Sequence, residues 1–568
     1  MRVAHSKSMG KRYFMRRILI KNRHVIFLFM LVILMRIPAL LMWSPSITGS
    51  DSSMYMETAR NVAEGKGFVS SVCRFHMDKR ALGEYISEYG NRYVGTSRAP
   101  VYISMLSLVY LLTGKAGFMT GTIILNLLLL LISLYLIYLF LKQKYPDNKL
   151  AHILALLWIG GSFTLFEFSF GAWLESFTLF NFIVVFVLHF RMLEGSKSKW
   201  WQYLVYGFAL ASLFTIKRSN MPIAAAFILH LMLQRDYKRF LIVSLYTGLF
   251  AGAWYYIRYY VMDMPPLYPF SHEFPYIGYS REVSAIPRFF LSGKAMVNVL
   301  VKYFKAAMSM QNLGLLFPFA ILYLAGEKRS KEKSLVWCIL LMNLGVYIFT
   351  QANPSPRYIF PVFAILIIYA AVCMDKTIKS LFTGNTFIPS YIVIMFTLFY
   401  QIAYVSEFTM KVPLSGSDRE QAFKAADALL DKYMVPEDAM LMFNMRGYNV
   451  YSDRGFVLAP PNTEHDNYQE VIDLYDIDYI LQCNGLTDYF FWFERTIGIE
   501  KYRGLPLLEE VYLDNLMSIE LYDAKPDSGS VMRSAAHGRI SFPSGEITVK
   551  HGTISKVSAV ADVDLLGE

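Results

Sequence analysis

The chain has 568 residues, of which 55% are hydrophobic and 16% aromatic but only 17% charged, and its mean hydropathy is +0.35. Soluble domains carry about 25% charged residues, so this composition excludes an ordinary soluble globular protein. A net charge of +11 would suit nucleic acid, but the Lys and Arg stand in short clusters between long apolar runs, as in loops that obey the positive-inside rule, and no nucleic-acid partner is expected.

The first 24 residues carry Arg2, Lys7, Lys11, Arg12, Arg16, Arg17, Lys21 and Arg23 and no acid, and an uninterrupted apolar stretch begins at Val25. No small-residue cleavage site follows Trp43, so this segment is expected to be a retained anchor with a cytoplasmic N-terminus. Apolar runs of spanning length follow near 119–141, 151–169, 174–191, 201–216, 220–234, 239–261, 311–326, 334–350, 358–374 and 387–405, which with 25–44 makes eleven. Alternation from an inside start puts every basic loop on the cytoplasmic side: Lys142, Lys144 and Lys149; Arg191, Lys197 and Lys199; Arg235, Lys238 and Arg239; Lys328, Arg329, Lys331 and Lys333; and Lys376 and Lys379. This requires that Val101–Thr113, which is short for a span and follows Arg98-Ala99-Pro100, lie at the outer surface or dip back.

Past about Ser406 the character changes. Ala422, Phe423, Ala426, Leu429 and Leu430 have helical spacing within Asp418–Met434, with Pro436 beyond. Short β-type runs follow at Met440–Phe443, Phe456–Leu458, Tyr479–Leu481 and Met517–Leu521, and residues 526–568 read as a β-ribbon or a loose tail. The expected architecture is an all-α polytopic membrane bundle of about 11 transmembrane helices over 25–405, after a basic cytoplasmic segment 1–24. Its first outer loop is 45–118, and a small soluble α/β domain occupies 406–568 on the outer side.

Four cysteines, Cys73, Cys338, Cys373 and Cys483, form no CxxC and no metal spacing. Cys73 and Cys483 would both face outside, which leaves a disulfide between them open. His272 with Glu273 and His465 with Asp466 have metal-binding chemistry without a ligand count and read as solvated loop residues.

Ionisable groups near outer helix ends are few, and burying them is costly unless they are paired or wet. They are Asp51, Arg98, Glu175, Lys217, Arg218, Arg258 and Arg357. A carboxylate in the first outer loop, Asp51, with several cations suits transfer of a sugar from a lipid phosphate. A base takes the acceptor hydroxyl's proton, cations hold the departing phosphate, and no acid is needed for a group that leaves so readily. Glycoside hydrolysis would instead call for two opposed carboxylates. Each residue also has a plainer reading: Asp51 as a helix N-cap, Glu175 as an acid suited to a helix N-terminus, Arg258 and Arg357 as snorkelling to headgroups.

The run Gly49–Phe68, then Arg98-Ala99-Pro100-Val101-Tyr102 and Thr113-Gly114, then Leu174-Glu175-Ser176, Arg218, Trp254 with Arg258, and Arg357-Tyr358 with Pro361, resembles the GT-C glycosyltransferases. Within them it is most similar to the bacterial dolichyl-phosphate-mannose-protein mannosyltransferase-like branch that includes the aminoarabinose lipid A transferases. The resemblance covers 25 to about 405. It implies a multi-pass enzyme of the bacterial inner membrane, using a polyprenyl-phosphate-linked sugar donor and a lipid, glycan or protein acceptor. It further implies that Asp51 is the catalytic acidic residue of the first loop, acting as a base, and Tyr55 shapes its surroundings, with Glu175 a second polar group and Arg258 and Arg357-Tyr358 at the lipid phosphate. Arg98, Lys217 and Arg218 are further candidates for substrate binding. Where the family often has a second acid after the first, this chain has Ser52, and Glu57 is six residues on from Asp51; a divalent cation, Mg²⁺ or Mn²⁺, would need ligands from elsewhere. Two rival readings are a transporter or flippase of lipid-linked sugars, which would show internal repeats with broken helices, and a membrane-anchored binding or assembly protein.

Overall fold

The computed structural model describes residues 23–37, 50–68, 72–74, 99–162, 165, 172–195, 199–216, 220–257, 293–309, 312–326, 330–350, 356–382, 386–411, 413–436, 439, 441–443, 448, 456–458, 472, 477–484, 505–513, 517–525, 540–542, 545–547 and 549–550. Within these stretches a few side chains, Asp51, Arg357 and Tyr358 among them, lie outside the description. The chain forms two compact units, one whose main body ends at Gly416 and one that begins at Ser417 and also takes in the strand at 72–74.

The first unit is helical. In chain order it contains α1 (Arg23–Leu34), α2 (Ser50–Ala63), α3 (Pro100–Lys144), α4 (Lys149–Gly160), α5 (Glu175–Glu194), α6 (Trp200–Ile216), α7 (Met221–Leu233), α8 (Tyr237–Tyr256), α9 (Gly293–Met308), α10 (Phe317–Ala325), α11 (Lys331–Thr350), α12 (Pro356–Leu381) and α13 (Phe387–Lys411). A helix stands at each of the eleven apolar intervals, and α2 and α9 are additional. Among the described residues four helices are long and apolar enough to cross a membrane, in α3, α5, α12 and α13, and the apolar stretches at Lys149–Gly160, Met221–Leu233 and Gly314–Ala325 are shorter. The chain is thus a multi-pass membrane protein. The apolar window of α12 is 89% buried and that of α13 only 11%, so α12 runs through the interior while α13 turns Phe387, Ile388, Tyr391 and Ile392 outward toward lipid.

Helix α3 is two helices. At Gly114 the backbone takes φ 66°, ψ −179°, a region open essentially to glycine alone. The Tyr102 hydroxyl donates to Asn126 Oδ1 at 3.0 Å across 24 residues, a separation that a straight helix would stretch to about 36 Å. Tyr110 and Phe118 meet edge to face at 5.1 Å, and Gly121 backs directly onto Val109. The arm 100–113 therefore folds back along the arm 115–144. That short first arm is the segment whose length argued against a crossing. Gly114→Ala should cost about 1–3 kcal/mol, all from the backbone because a Cβ there meets open space. It is expected as a lower thermal midpoint of the detergent-solubilised protein, and an unchanged midpoint would contradict the turn.

The basic loops gather at one end of the bundle. Lys144 at the end of α3 pairs with Glu194 at the end of α5 and, at 3.2 Å, with Glu332 in the first turn of α11. Arg239 donates to the Gly195 carbonyl at 2.6 Å, and Lys379 near the end of α12 donates to the Asp147 carbonyl at 2.6 Å. Toward this end a buried polar chain joins three helices. The Tyr206 hydroxyl of α6 lies 2.7 Å from His189 Nδ1 of α5, and His189 Nε2 lies 2.8 Å from His230 Nδ1 of α7. Such side chains act as glue between helices that lipid cannot drive together. Gly207 of α6 lets the backbone of α8 come close, since a Cβ there would fall 2.5 Å from the Cβ of Tyr246.

The second unit is an α/β layer. Helix α14 (Pro413–Lys432) leads into it, and its strands are β1 (Val72–Arg74), β2 (Leu441–Phe443), β3 (Phe456–Leu458), β4 (Tyr479–Asn484), β5 (Leu507–Leu513), β6 (Met517–Asp523), β7 (Ile540–Phe542), β8 (Gly545–Ile547) and β9 (Val549–Lys550). The main sheet has the order β1-β3-β2-β4-β6-β5-β9, parallel from β1 to β4 and antiparallel beyond, while β7 and β8 form a hairpin. Ala422, Phe423, Ala426, Leu429 and Leu430 of α14 are buried in one core with Leu441, Phe443, Leu481, Val511, Ile519 and Leu521, which is the helical stripe seen in the sequence. Strands β1 and β5 were not expected from the sequence, and β9 lies in the segment 526–568 read as a β-ribbon or a loose tail. Strand β1 corrects the disulfide question: β3 and β2 stand between β1 and β4, so Cys73 and Cys483 are separated by about three strand spacings, some 14 Å, twice what a disulfide spans. Cys483 is buried in the core of this unit.

Candidate functional site

The constellation builds outward from α2. Asp51 occupies its first turn, and the adjacent Ser52, fully buried, accepts the Ala172 backbone N–H on its Oγ at 2.7 Å. Ala172, Trp173 and Leu174 are buried and lead straight into α5, whose first residue is Glu175, 5% exposed. An acid at that position faces the unpaired N–H groups of the first turn. The hydroxyl of Ser52 thus ties the helix that carries one acid to the turn that presents the other.

Aromatic rings line the same neighbourhood. Tyr55, one helical turn after Asp51, meets Tyr102 edge to face with centroids 6.5 Å apart, and Tyr102 stacks at 5.4 Å on Phe177 of α5. Asn126 fixes the Tyr102 hydroxyl from the second arm of α3. The start of α3 is anchored by the Ala99 N–H, which donates to the Thr215 carbonyl at the end of α6 at 3.0 Å. Ala99 holds φ 55°, a left-handed conformation before Pro100 that sets the entry of the helix. At the other end of α2, Tyr110 donates to Glu64 at 2.8 Å, and Phe68 meets Trp254 of α8 edge to face at 5.6 Å.

Three separate motif segments, around residues 51–55, 99–102 and 172–177, therefore converge, and a fourth, at Trp254, meets Phe68 beyond the other end of α2. No protein-family model matches the sequence, and no curated protein matches it either. Solved structures do match: ArnT from Cupriavidus metallidurans bound to undecaprenyl phosphate superposes with a TM-score of 0.54 at 11% identity, over 88% of this chain and 98% of that one. The chain has the ArnT fold. Its apo state gives a TM-score of 0.53 at 12% identity over 87% and 97% of the two chains. ArnT is a GT-C glycosyltransferase, and this mostly helical chain with its small C-terminal sheet agrees with it in fold.

Of the candidate residues, Tyr55 and Glu175 are placed in this constellation as buried side chains, and Asp51 by its backbone. Arg98, Lys217, Arg218 and Arg258 lie outside the described residues, as do His272, Glu273, His465 and Asp466, and Arg357 and Tyr358 are placed by their backbone alone, in the first turn of α12. Arg98 adjoins Ala99 in the chain, Lys217 follows Thr215 by two residues, and Arg258 follows Trp254 by four. Among the described residues no three His, Cys, Asp or Glu groups gather in a way that would hold a metal ion. The position beside Asp51 carries a hydroxyl engaged by a backbone N–H, so the described residues do not fit a metal held by adjacent acids, and no step is routed through one.

Several residues of this region were given no role from the sequence. Tyr102 and Asn126 form its hydrogen-bonded wall, and the lone Asn inside a Leu-rich run was the available signal. Glu57, Arg60 and Asn61 of α2 are all 6% exposed or less. Arg36, isolated in the first apolar run, is buried and donates to the Gly160 carbonyl at 3.0 Å; it sits at the end of α4, where the helix dipole favours a cation.

Proposed function

We propose that the chain is a GT-C glycosyltransferase that moves a sugar from a polyprenyl-phosphate carrier to an acceptor hydroxyl at the outer, periplasmic face of a bacterial inner membrane, with inversion. Asp51 takes the proton from the acceptor hydroxyl as that oxygen attacks the anomeric carbon. The carbon–oxygen bond to the phosphate breaks, and the polyprenyl phosphate leaves with the bonding pair. Because the phosphate departs already ionised, cations rather than an acid assist it. Arg258 and Arg357, with Arg98, Lys217 and Arg218, are assigned to that task. Glu175 and Tyr55 are assigned to the surroundings of the sugar, and the buried rings of Tyr102 and Phe177 hold Tyr55 from behind. The C-terminal unit is assigned to the acceptor side.

The observation that carries this reading is the convergence of α2, the start of α3 and the start of α5 around the Ser52–Ala172 bond, in a fold shared over most of its length with a protein captured with undecaprenyl phosphate. The test is mass spectrometry of lipids and glycans from a deletion strain. A prenyl-linked monosaccharide should accumulate and one conjugate should lose a single sugar. Unchanged lipid and glycan profiles would end the proposal.

A further inference from the structure

We infer that Ser52 is a positioning residue, whose hydroxyl, by accepting the Ala172 N–H, sets the register between the helix carrying Asp51 and the turn presenting Glu175. The inference rests on the transferase reading above. Ser52 is fully buried, sits one residue from Asp51, and reaches a segment 120 residues away that ends three residues later in Glu175. Ala172 precedes α5, so its N–H has no carbonyl of that helix to donate to, and a buried backbone donor left without a partner is costly. The same first turns carry both acids: Asp51 and Ser52 are in the first turn of α2, and Glu175 opens α5. A shift of this one contact therefore moves both carboxyl-bearing elements relative to each other. Nearby, Tyr55, Tyr102 and Phe177 join the same two helices to α3 through ring contacts. Rings in van der Waals contact slide at little cost, whereas a 2.7 Å hydrogen bond is directional, and the Ser52 contact supplies the definition that those stacked faces lack. Displacements near 1 Å cost reacting groups about a hundredfold in rate.

The test expresses the full chain with Ser52→Ala, Ser52→Cys or Ser52→Thr in the deletion strain at matched membrane levels. Turnover is read from the accumulated prenyl-linked sugar, and binding from undecaprenyl phosphate added to the purified protein. Ser52→Ala and Ser52→Cys should lower turnover by about ten- to a hundredfold while lipid binding stays near that of the parent and the thermal midpoint falls only modestly, as expected when one buried N–H loses its acceptor, and Ser52→Thr, which keeps the oxygen, should restore most of the turnover. Cysteine preserves volume but accepts weakly, so a fully active Ser52→Cys would show that packing alone matters and would overturn the inference. Variants in which lipid binding falls in step with turnover would also overturn it, since that is the signature of a merely structural contact. A deletion strain that accumulates no prenyl-linked sugar removes the transferase reading itself, before any Ser52 variant is compared.

Discussion

Asp51→Asn should lower sugar transfer by about 10²–10⁴-fold, the range that general-base catalysis contributes, while the protein still binds undecaprenyl phosphate. The amide matches the carboxylate in shape but cannot take the acceptor's proton. The packing of α2 should survive the change, because the helix is held by its neighbours Ser52, Tyr55, Met56 and Ala59, each at most 1% exposed, and by the Ser52 bond to Ala172. Initial rates of transfer from a prenyl-phosphate sugar, with lipid retention on the purified variant as control, check the expectation. A variant that turns over at the parental rate would remove Asp51 from the mechanism, and a transporter or scaffold would be largely indifferent to the change.

The second large effect is confined to the C-terminal unit. Lys432, at the end of α14, puts its ammonium 2.7 Å from both carboxylate oxygens of Glu509 on β5, whose side chain is fully buried. Next to this pair, Tyr433 donates to the Leu508 carbonyl at 2.9 Å, so the helix end and the strand are joined twice. Lys432→Met should destabilise this unit by about 3–5 kcal/mol, because a carboxylate is left buried without its counter-charge. The double variant Lys432→Met with Glu509→Leu should recover most of the loss, since neither charge then remains to be desolvated. Limited proteolysis of the full-length protein in detergent reads this directly, as faster cleavage within 417–568. Equal protease resistance of the single variant and the parent would show that water reaches Glu509 and that the pair contributes little.

Much of the helical bundle was legible because membrane-spanning helices must be apolar over a set length and their loops must carry charge. Those two requirements leave a pattern that needs no partner residues to be read. Lys144, Arg239, Glu332 and Lys379 come from loops far apart in the chain, yet alternation assigned those loops to one side, and ion pairs and hydrogen bonds join them at one end. The doubling back at Gly114 was half legible. The shortness of 101–113 argued against a crossing, but the antiparallel packing of its two arms depends on Tyr102 reaching Asn126. The stripe of α14 was read from its period, whereas β1 and β5 were not. Strand β1 is three residues in a loop, and only its partner β3 makes it a strand.

The sequence by itself determined that this protein lives in a membrane, which of its segments are helices, and which few ionisable residues stand at helix ends. Periodicity and the cost of placing charge in lipid are local properties, written into consecutive residues. Tertiary structure decided that Ser52 serves the turn before Glu175, that Tyr102 is pinned between Asn126 and Phe177, and that Cys73 and Cys483 are strands apart. Each of those facts joins residues from 24 to more than 400 positions apart, and which distant groups meet is set by how the helices and strands pack, which no local pattern encodes.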